Sequence, residues 1–156
     1  MSGPGEGDKA PDFELETEGG PARLADFAGK TLVLYFYPKD DTSGCTREAQ
    51  DFTGLAPEFA KAGATVIGVS KDSLAAHKKF ATKYDLAVTL GSDPEGKAVE
   101  AFGSWVEKSL YGRQYMGIDR STFLVGKDGR VAKAWRGVKV PGHVEEVLQA
   151  ARAAAG

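Results

Sequence analysis

The chain has a single cysteine, Cys45, in the stretch YPKDDTSGCTREAQ that runs from Tyr37 to Gln50. A lone cysteine is most often a small, inert hydrophobe in a packed core. The setting of this one suits chemistry instead. It follows the apolar run TLVLYFYP by a short loop, and it opens a helical pattern. Ligand sites in α/β sheets gather at the carboxyl ends of the strands. The first turn of a helix adds unpaired N–H groups and a partial positive charge. Both favour thiolate over thiol, and cysteines at helix starts fall from about 8.5 to between roughly 3.5 and 7.5. The dipole supplies only about 0.3–1 kcal/mol, whereas one pKa unit is about 1.4 kcal/mol. A cationic partner is therefore expected.

Thr42 precedes Cys45 by three positions, where a dithiol motif would place its other sulfur. A hydroxyl there cannot exchange disulfides, but it can donate and accept hydrogen bonds beside the thiol. It also suits the N-cap of the helix. Pro38 is placed either to end the strand or to border the thiol. Glu48, one turn after Cys45 on the same helical face, could orient an arginine or simply answer the helix dipole. Lys39, Asp40 and Arg47 read as solvated charges.

The elements that position these residues follow from pattern. DFELETEGGPARLADF alternates, breaks at Gly19-Gly20-Pro21 and resumes, as a small hairpin would. TLVLYFY and ATVIGVS are continuous apolar runs expected as buried central strands. A helix is expected from Cys45 to about Thr53, interrupted near Gly54 and Pro57 and resuming to Ala62-Gly63. Ser73 is placed to cap a helix over Leu74 to Tyr84, with Leu74, His77, Phe80 and Tyr84 at helical spacing. AVTLGSD reads as a short strand and PEGKAVEAFG as a short helix. Residues 103–117 look irregular and aromatic-rich. STFLV and VAKAW flank a Lys-Asp-Gly-Arg turn, and a last helix after Pro141 sets Val144, Val147, Leu148 and Ala151 on one face. The order predicts an α/β fold with a mixed central sheet flanked by helices on both faces. One domain over residues 1–156 is expected, with residues 1–6 flexible.

The totals exclude several functions. Net charge is −2 and no basic run occurs, so a nucleic-acid partner is not expected. No apolar run approaches the roughly 20 residues of a membrane span. The start, MSGPGEGDKAPDF, has no charged or apolar signal region, and one cysteine makes no intrachain disulfide framework. A cytoplasmic location is expected. The two histidines, His77 and His143, are far apart and lack metal-ligand company, so both are expected as solvated helix residues and no metal is implied.

PKDDTSGC, read as Pro38-x-x-x-Thr42-x-x-Cys45, resembles the active-site signature of peroxiredoxins, thiol peroxidases on a thioredoxin-like fold. YFYPKDDTSGCTREAQDF and WVEKSLYGRQYMGIDRSTFLVGKDGRVAKAW are similar to the bacterioferritin comigratory protein, or PrxQ, subgroup. The likeness runs in order from about Gly7 to the last helix. It implies that Cys45 is the nucleophile that a hydroperoxide oxidises to sulfenic acid. Thr42 would hydrogen-bond the peroxide, Pro38 would shield the sulfur, and Arg120 would supply the missing cation. Trp105, Tyr111 and Tyr115 could cover the pocket or serve packing. No bound cofactor is implied, and a monomer or loose homodimer is expected.

The chain departs from the subgroup in one respect. Many members carry a second, resolving cysteine five residues after the nucleophile or in the next helix. Gln50 holds the first position, and Leu74 to Tyr84 contains no cysteine. The expected cycle is thus a one-cysteine mechanism, with an external thiol (thioredoxin, glutaredoxin or glutathione) reducing oxidised Cys45. The competing reading is a redox-sensing domain oxidised once without turnover. A thiol–disulfide oxidoreductase is disfavoured by the hydroxyl of Thr42.

Overall fold

The computed structural model describes residues 3–155. Its centre is β3 (Thr31–Phe36), buried at all six positions. A strand apolar on both sides can lie only inside a sheet covered on both faces. Here β3 pairs in parallel with β4 (Ala64–Ser70) and antiparallel with β8 (Ser121–Val125). The seven-stranded sheet has the order β2-β1-β5-β4-β3-β8-β9, taking in β1 (Glu14–Thr17), β2 (Gly20–Arg23), β5 (Thr89–Ser92) and β9 (Val131–Trp135). The three parallel strands are linked through helices, as parallel connections require. The fold is thus α/β with a mixed central sheet.

One face of the sheet carries α1 (Ser43–Gly54), α2 (Ala56–Lys61), α3 (Leu74–Tyr84) and α5 (His143–Ala155). Phe52, Phe59, Phe80, Val144 and Val147 from these helices pack on Val33, Tyr35 and Leu124. The other face packs α4 (Lys97–Ala101), through Ala98 and Val99, with Phe102 and the N-terminal Phe13 on Leu34, Phe36, Ile67 and Phe123. The break between α1 and α2 falls where expected, with Pro57 at the start of α2. The Ser73 side chain accepts from the Ala76 N–H as the cap of α3.

Tyr35 lies across the sheet over Gly68, and a Cβ built at Gly68 would come 2.5 Å from its ring. The same ring stacks on Phe52 at 4.5 Å, so it has nowhere to go. Gly68→Ala is therefore expected to cost about 1–3 kcal/mol through overpacking. A urea melt would measure the loss, and an unchanged midpoint would contradict this packing.

Two regions differ from the sequence expectation. Residues 103–117 are not irregular: β6 (Trp105–Leu110) and β7 (Arg113–Ile118) form a hairpin outside the main sheet. Its two-residue turn has positive φ at both Tyr111 (52°) and Gly112 (77°), the geometry that matches strand twist. Because most of the ribbon is exposed, no alternation of apolar residues marks it in the sequence. The second difference is the segment expected to be flexible, residues 1–6. Residues 1 and 2 lie outside the described residues, but from Gly3 onward the chain is tied down. Pro4 is buried and its carbonyl accepts from Arg136 Nη2. Gly7 N–H donates to Val131 at 2.8 Å, and Ala10 N–H to Gly129 at 2.9 Å. The partners lie in the turn before β9, on β9 and just after it, and the sequence did not advertise them.

Candidate active site

The strand β3 and its extension through Tyr37 deliver the chain to Pro38, exposed where the sheet ends. Thr42 then takes the N-cap position of α1, with extended backbone at φ −99° and ψ 158°. Its side chain does not cap. The hydroxyl instead donates to the Lys39 carbonyl at 2.9 Å, closing the loop on itself. Cys45 lies in the first helical turn and is 1% exposed, its sulfur on the side of α1 that packs against the sheet.

Arg120 comes from the other half of the chain, between β7 and β8. Its Nη2 donates to Cys45 Sγ at 3.4 Å, and its Nη1 to Glu48 Oε1 at 2.7 Å. The guanidinium therefore bridges two groups that lie one turn apart on α1. Its position is fixed from behind, since its backbone carbonyl accepts from Val138 N–H at 2.9 Å. The close approach also depends on Gly44, where a Cβ would stand 3.0 Å from Nη2. Nothing in the sequence pattern singled out Gly44.

Glu48 is fully buried, and its Oε2 has no hydrogen-bond partner among the described residues. Burial pushes its carboxyl up to about 7, against the pull of the Arg120 cation. Burial works against the charge of Arg120 too, but Glu48 and Cys45 outweigh it and hold the guanidinium firmly protonated. The Tyr35 hydroxyl beneath is likewise buried and without a partner, and burial followed by the Glu48 charge raises it well above the ordinary phenol range. The arrangement gives a sulfur, a fixed cation beside it and a buried carboxylate holding that cation. Such a site can stabilise negative charge both on the sulfur and on an oxygen that leaves it.

The AhpC/TSA family profile matches residues 6–134. Peroxiredoxin Bcp of Bacillus subtilis is 52% identical over 144 residues, covering 92% of both chains. Among solved structures, peroxiredoxin Q of Xanthomonas campestris superposes with a TM-score of 0.87 at 48% identity over 92% of each chain. The chain belongs to the AhpC/TSA family, as a peroxiredoxin of the Bcp, or Q, type. It is a thiol peroxidase, with peroxides as substrates and thiols as reductants. A cysteine mutant of PrxQ from Xylella fastidiosa superposes over the whole chain with a TM-score of 0.93 at 41% identity, and the neighbours share the thioredoxin-like fold.

This peroxiredoxin brings Cys45, Glu48 and Arg120 into direct contact, with Thr42 at the mouth of the same helix. Pro38 is exposed just past the end of β3, and Gln50 is exposed on α1. Of the aromatic residues that could cover the pocket, Trp105 is half-buried on the opposite cluster with the Lys71 ammonium 4.3 Å from its ring. Tyr111 is 95% exposed at the hairpin tip and Tyr115 is exposed beside it. No helix of the described residues is long and apolar enough to cross a membrane.

Three side chains expected in solvent are buried instead. Asp40 accepts from the Tyr37 hydroxyl at 2.5 Å and meets His77 Nδ1 at 2.7 Å. His77 completes its bonds through Nε2, which donates to the Gly91 carbonyl at 3.0 Å. His143 is buried against Trp135, bonds Thr122 at 2.8 Å through Nε2, and is held below the ordinary imidazole range by burial. Lys39 and Arg47 are exposed as expected. Asp40, Asp72 and His77 bring one donor atom each within 4.8 Å of the others. Those donors are already engaged: Asp72 Oδ2 accepts from Asp40 N–H and from Ser70 Oγ, so the cluster fits a hydrogen-bond network better than a metal centre.

Proposed function

We propose that Cys45 is the peroxidatic nucleophile of a one-cysteine peroxidase cycle. The observation that carries the reading is the Arg120 guanidinium, held by Glu48 and donating to Sγ. In the first step the Cys45 thiolate attacks the terminal oxygen of a hydroperoxide. An S–O bond forms, the O–O bond breaks, and the departing alkoxide or hydroxide takes up a proton to leave as alcohol or water. Arg120 faces the negative charge as it moves from sulfur to the departing oxygen, and a fixed donor aimed at developing charge acts on rate. Thr42 hydrogen-bonds the peroxide oxygens, Pro38 keeps water from the sulfur, and Glu48 orients Arg120.

The product is a sulfenic acid. With no second cysteine in the chain, an external thiol attacks Cys45, expels water and leaves a mixed disulfide, which a further thiol reduces. Thioredoxin, or glutaredoxin with glutathione, suits that role. At 1% exposure the sulfur is out of reach of a protein thiol, so the first turn of α1 opens before reduction. The substrates include hydrogen peroxide and organic hydroperoxides; alkyl peroxide reduction is named for the Xanthomonas campestris relative. The enzyme works as a single domain in the cytoplasm, as a monomer or loose homodimer, with the sulfur itself as its redox centre.

Steady-state peroxide consumption tests this. Wild type and Cys45→Ser are assayed with dithiothreitol, with glutathione and glutaredoxin, and with thioredoxin and its reductase. Sustained turnover in wild type and none in Cys45→Ser is expected. Oxidation once per chain with every reductant would refute the cycle and point to a sensor.

A further inference from the structure

The loop that carries Pro38 and Thr42 is gripped from outside by α3. Asp40 is the inner attachment, and its carboxylate is held on both oxygens, by the Tyr37 hydroxyl and by His77 Nδ1. Its backbone N–H donates to Asp72 Oδ2 at 2.9 Å. Asp41 is the outer attachment. It stands in the left-handed region at φ 59°, and its carboxylate accepts from Lys83 at 2.8 Å and from the Tyr84 hydroxyl at 2.6 Å. The outer contacts are exposed and weak by nature. The inner one is 2% exposed at His77 and strong. A carbonyl can only accept, so the Nε2 proton of His77 points at Gly91 and anchors the ring to β5. Nδ1 is left facing Asp40. The chain of bonds thus runs from β5 through His77 and Asp40 into the turn, where Lys39 receives the Thr42 hydroxyl.

We propose that His77 is a positioning residue for peroxide reduction: by holding Asp40 it fixes the Pro38–Thr42 turn, and with it the Thr42 hydroxyl at the start of the helix that carries Cys45. This rests on the peroxidase reading given above. His77 touches neither the sulfur nor Arg120. It acts through the loop, so its loss moves the Thr42 hydroxyl and leaves the Cys45–Arg120 contact in place. Misplacing a group that aligns a substrate by about 1 Å can cost about 100-fold in rate.

The contact can be broken from either side and rebuilt. His77→Gln reaches toward Gly91 but gives up the contact with Asp40, and Asp40→Ala removes that contact from the other side. His77→Asn keeps a donor near the place of Nδ1. Asp40→Asn keeps the bond, since its amide can donate to Nδ1 while Nε2 still serves Gly91. Two rates are read on each variant by stopped flow: oxidation of Cys45 by hydrogen peroxide, and its alkylation by iodoacetamide, which needs the thiolate but no aligned peroxide. His77→Gln and Asp40→Ala are expected to lose about 10- to 100-fold in peroxide rate with alkylation no slower. The two asparagine variants are expected to keep most of the peroxide rate. Circular dichroism selects the folded variants, and either contact-breaking variant suffices. Unchanged peroxide rates, parallel loss of both rates, or equal loss in the asparagine variants would overturn the inference. If wild type itself resists peroxide, the peroxidase reading has failed. An active wild type with equally active contact-breaking variants defeats only the role of His77.

Discussion

Replacing Arg120 by methionine should slow oxidation of Cys45 by hydrogen peroxide about 100- to 1,000-fold, the cost of removing one fixed donor from a developing oxyanion. Methionine keeps the length and removes the charge, so steric loss is small. The same change strands Glu48, whose Oε1 is held by Arg120 at 2.7 Å and whose Oε2 already lacks a partner. A buried charge left ionised would cost about 3–5 kcal/mol. Glu48, already raised to about 7 beside Arg120, takes up a proton when the cation is lost, so near neutral pH the stability loss is smaller and it grows toward alkaline pH. Stability loss and rate loss have different causes here, and the double variant Arg120→Met/Glu48→Gln separates them. Glutamine has no charge to strand, so the double variant should recover most of the stability and none of the rate. Stopped-flow oxidation and urea melts on the three proteins measure this. Recovery of rate in the double variant would mean that Arg120 serves the fold and not the chemistry.

Glu48→Gln alone should change how stability depends on pH. The Glu48 carboxyl is raised from 4.5 to about 7 in the folded chain, chiefly by burial. Between those values the folded chain holds a proton that the unfolded chain has released. Stability therefore falls as pH rises through this window, and above about 7 the full cost of burying the charge is present. At about 1.4 kcal/mol per unit, that cost is about 3 kcal/mol. Glutamine does not titrate. The variant should match wild type near pH 4.5 and gain on it progressively toward pH 8, as urea melts across that range would show. Parallel stability curves would contradict the raised carboxyl.

The parts of this molecule that were legible in the sequence are those whose signal is local. The apolar run at β3, the cap at Ser73, the stripe on α5 and the break at Pro57 each depend on neighbours a few residues away, and each stands where expected. The placement of Cys45 at a helix start was local too. Arg120 was not: 75 residues separate it from Cys45, and only resemblance to a family marked it among the arginines. Glu48 was placed by helical spacing, but its burial follows from the way α1 lies on the sheet.

His77 is the instructive miss. It shares the spacing of Leu74, Phe80 and Tyr84, the stripe that faces the core, so its burial was written in the pattern. Its polarity argued for solvent only so long as no partner was in view, and the partner, Asp40, lies 37 residues away. The same long-range pairing explains Asp40 itself. The β6–β7 hairpin escaped for the opposite reason, because a ribbon with little buried surface leaves no hydrophobic period to read.

The most direct test of the central claim is the mass of the intact chain after one equivalent of hydrogen peroxide, without reductant and then with excess dithiothreitol. A gain of one oxygen atom on Cys45 and no internal disulfide are expected, then return to the starting mass once the thiol is added, with further added peroxide consumed. An unmodified Cys45 while peroxide disappears, or peroxide left untouched, would contradict the claim.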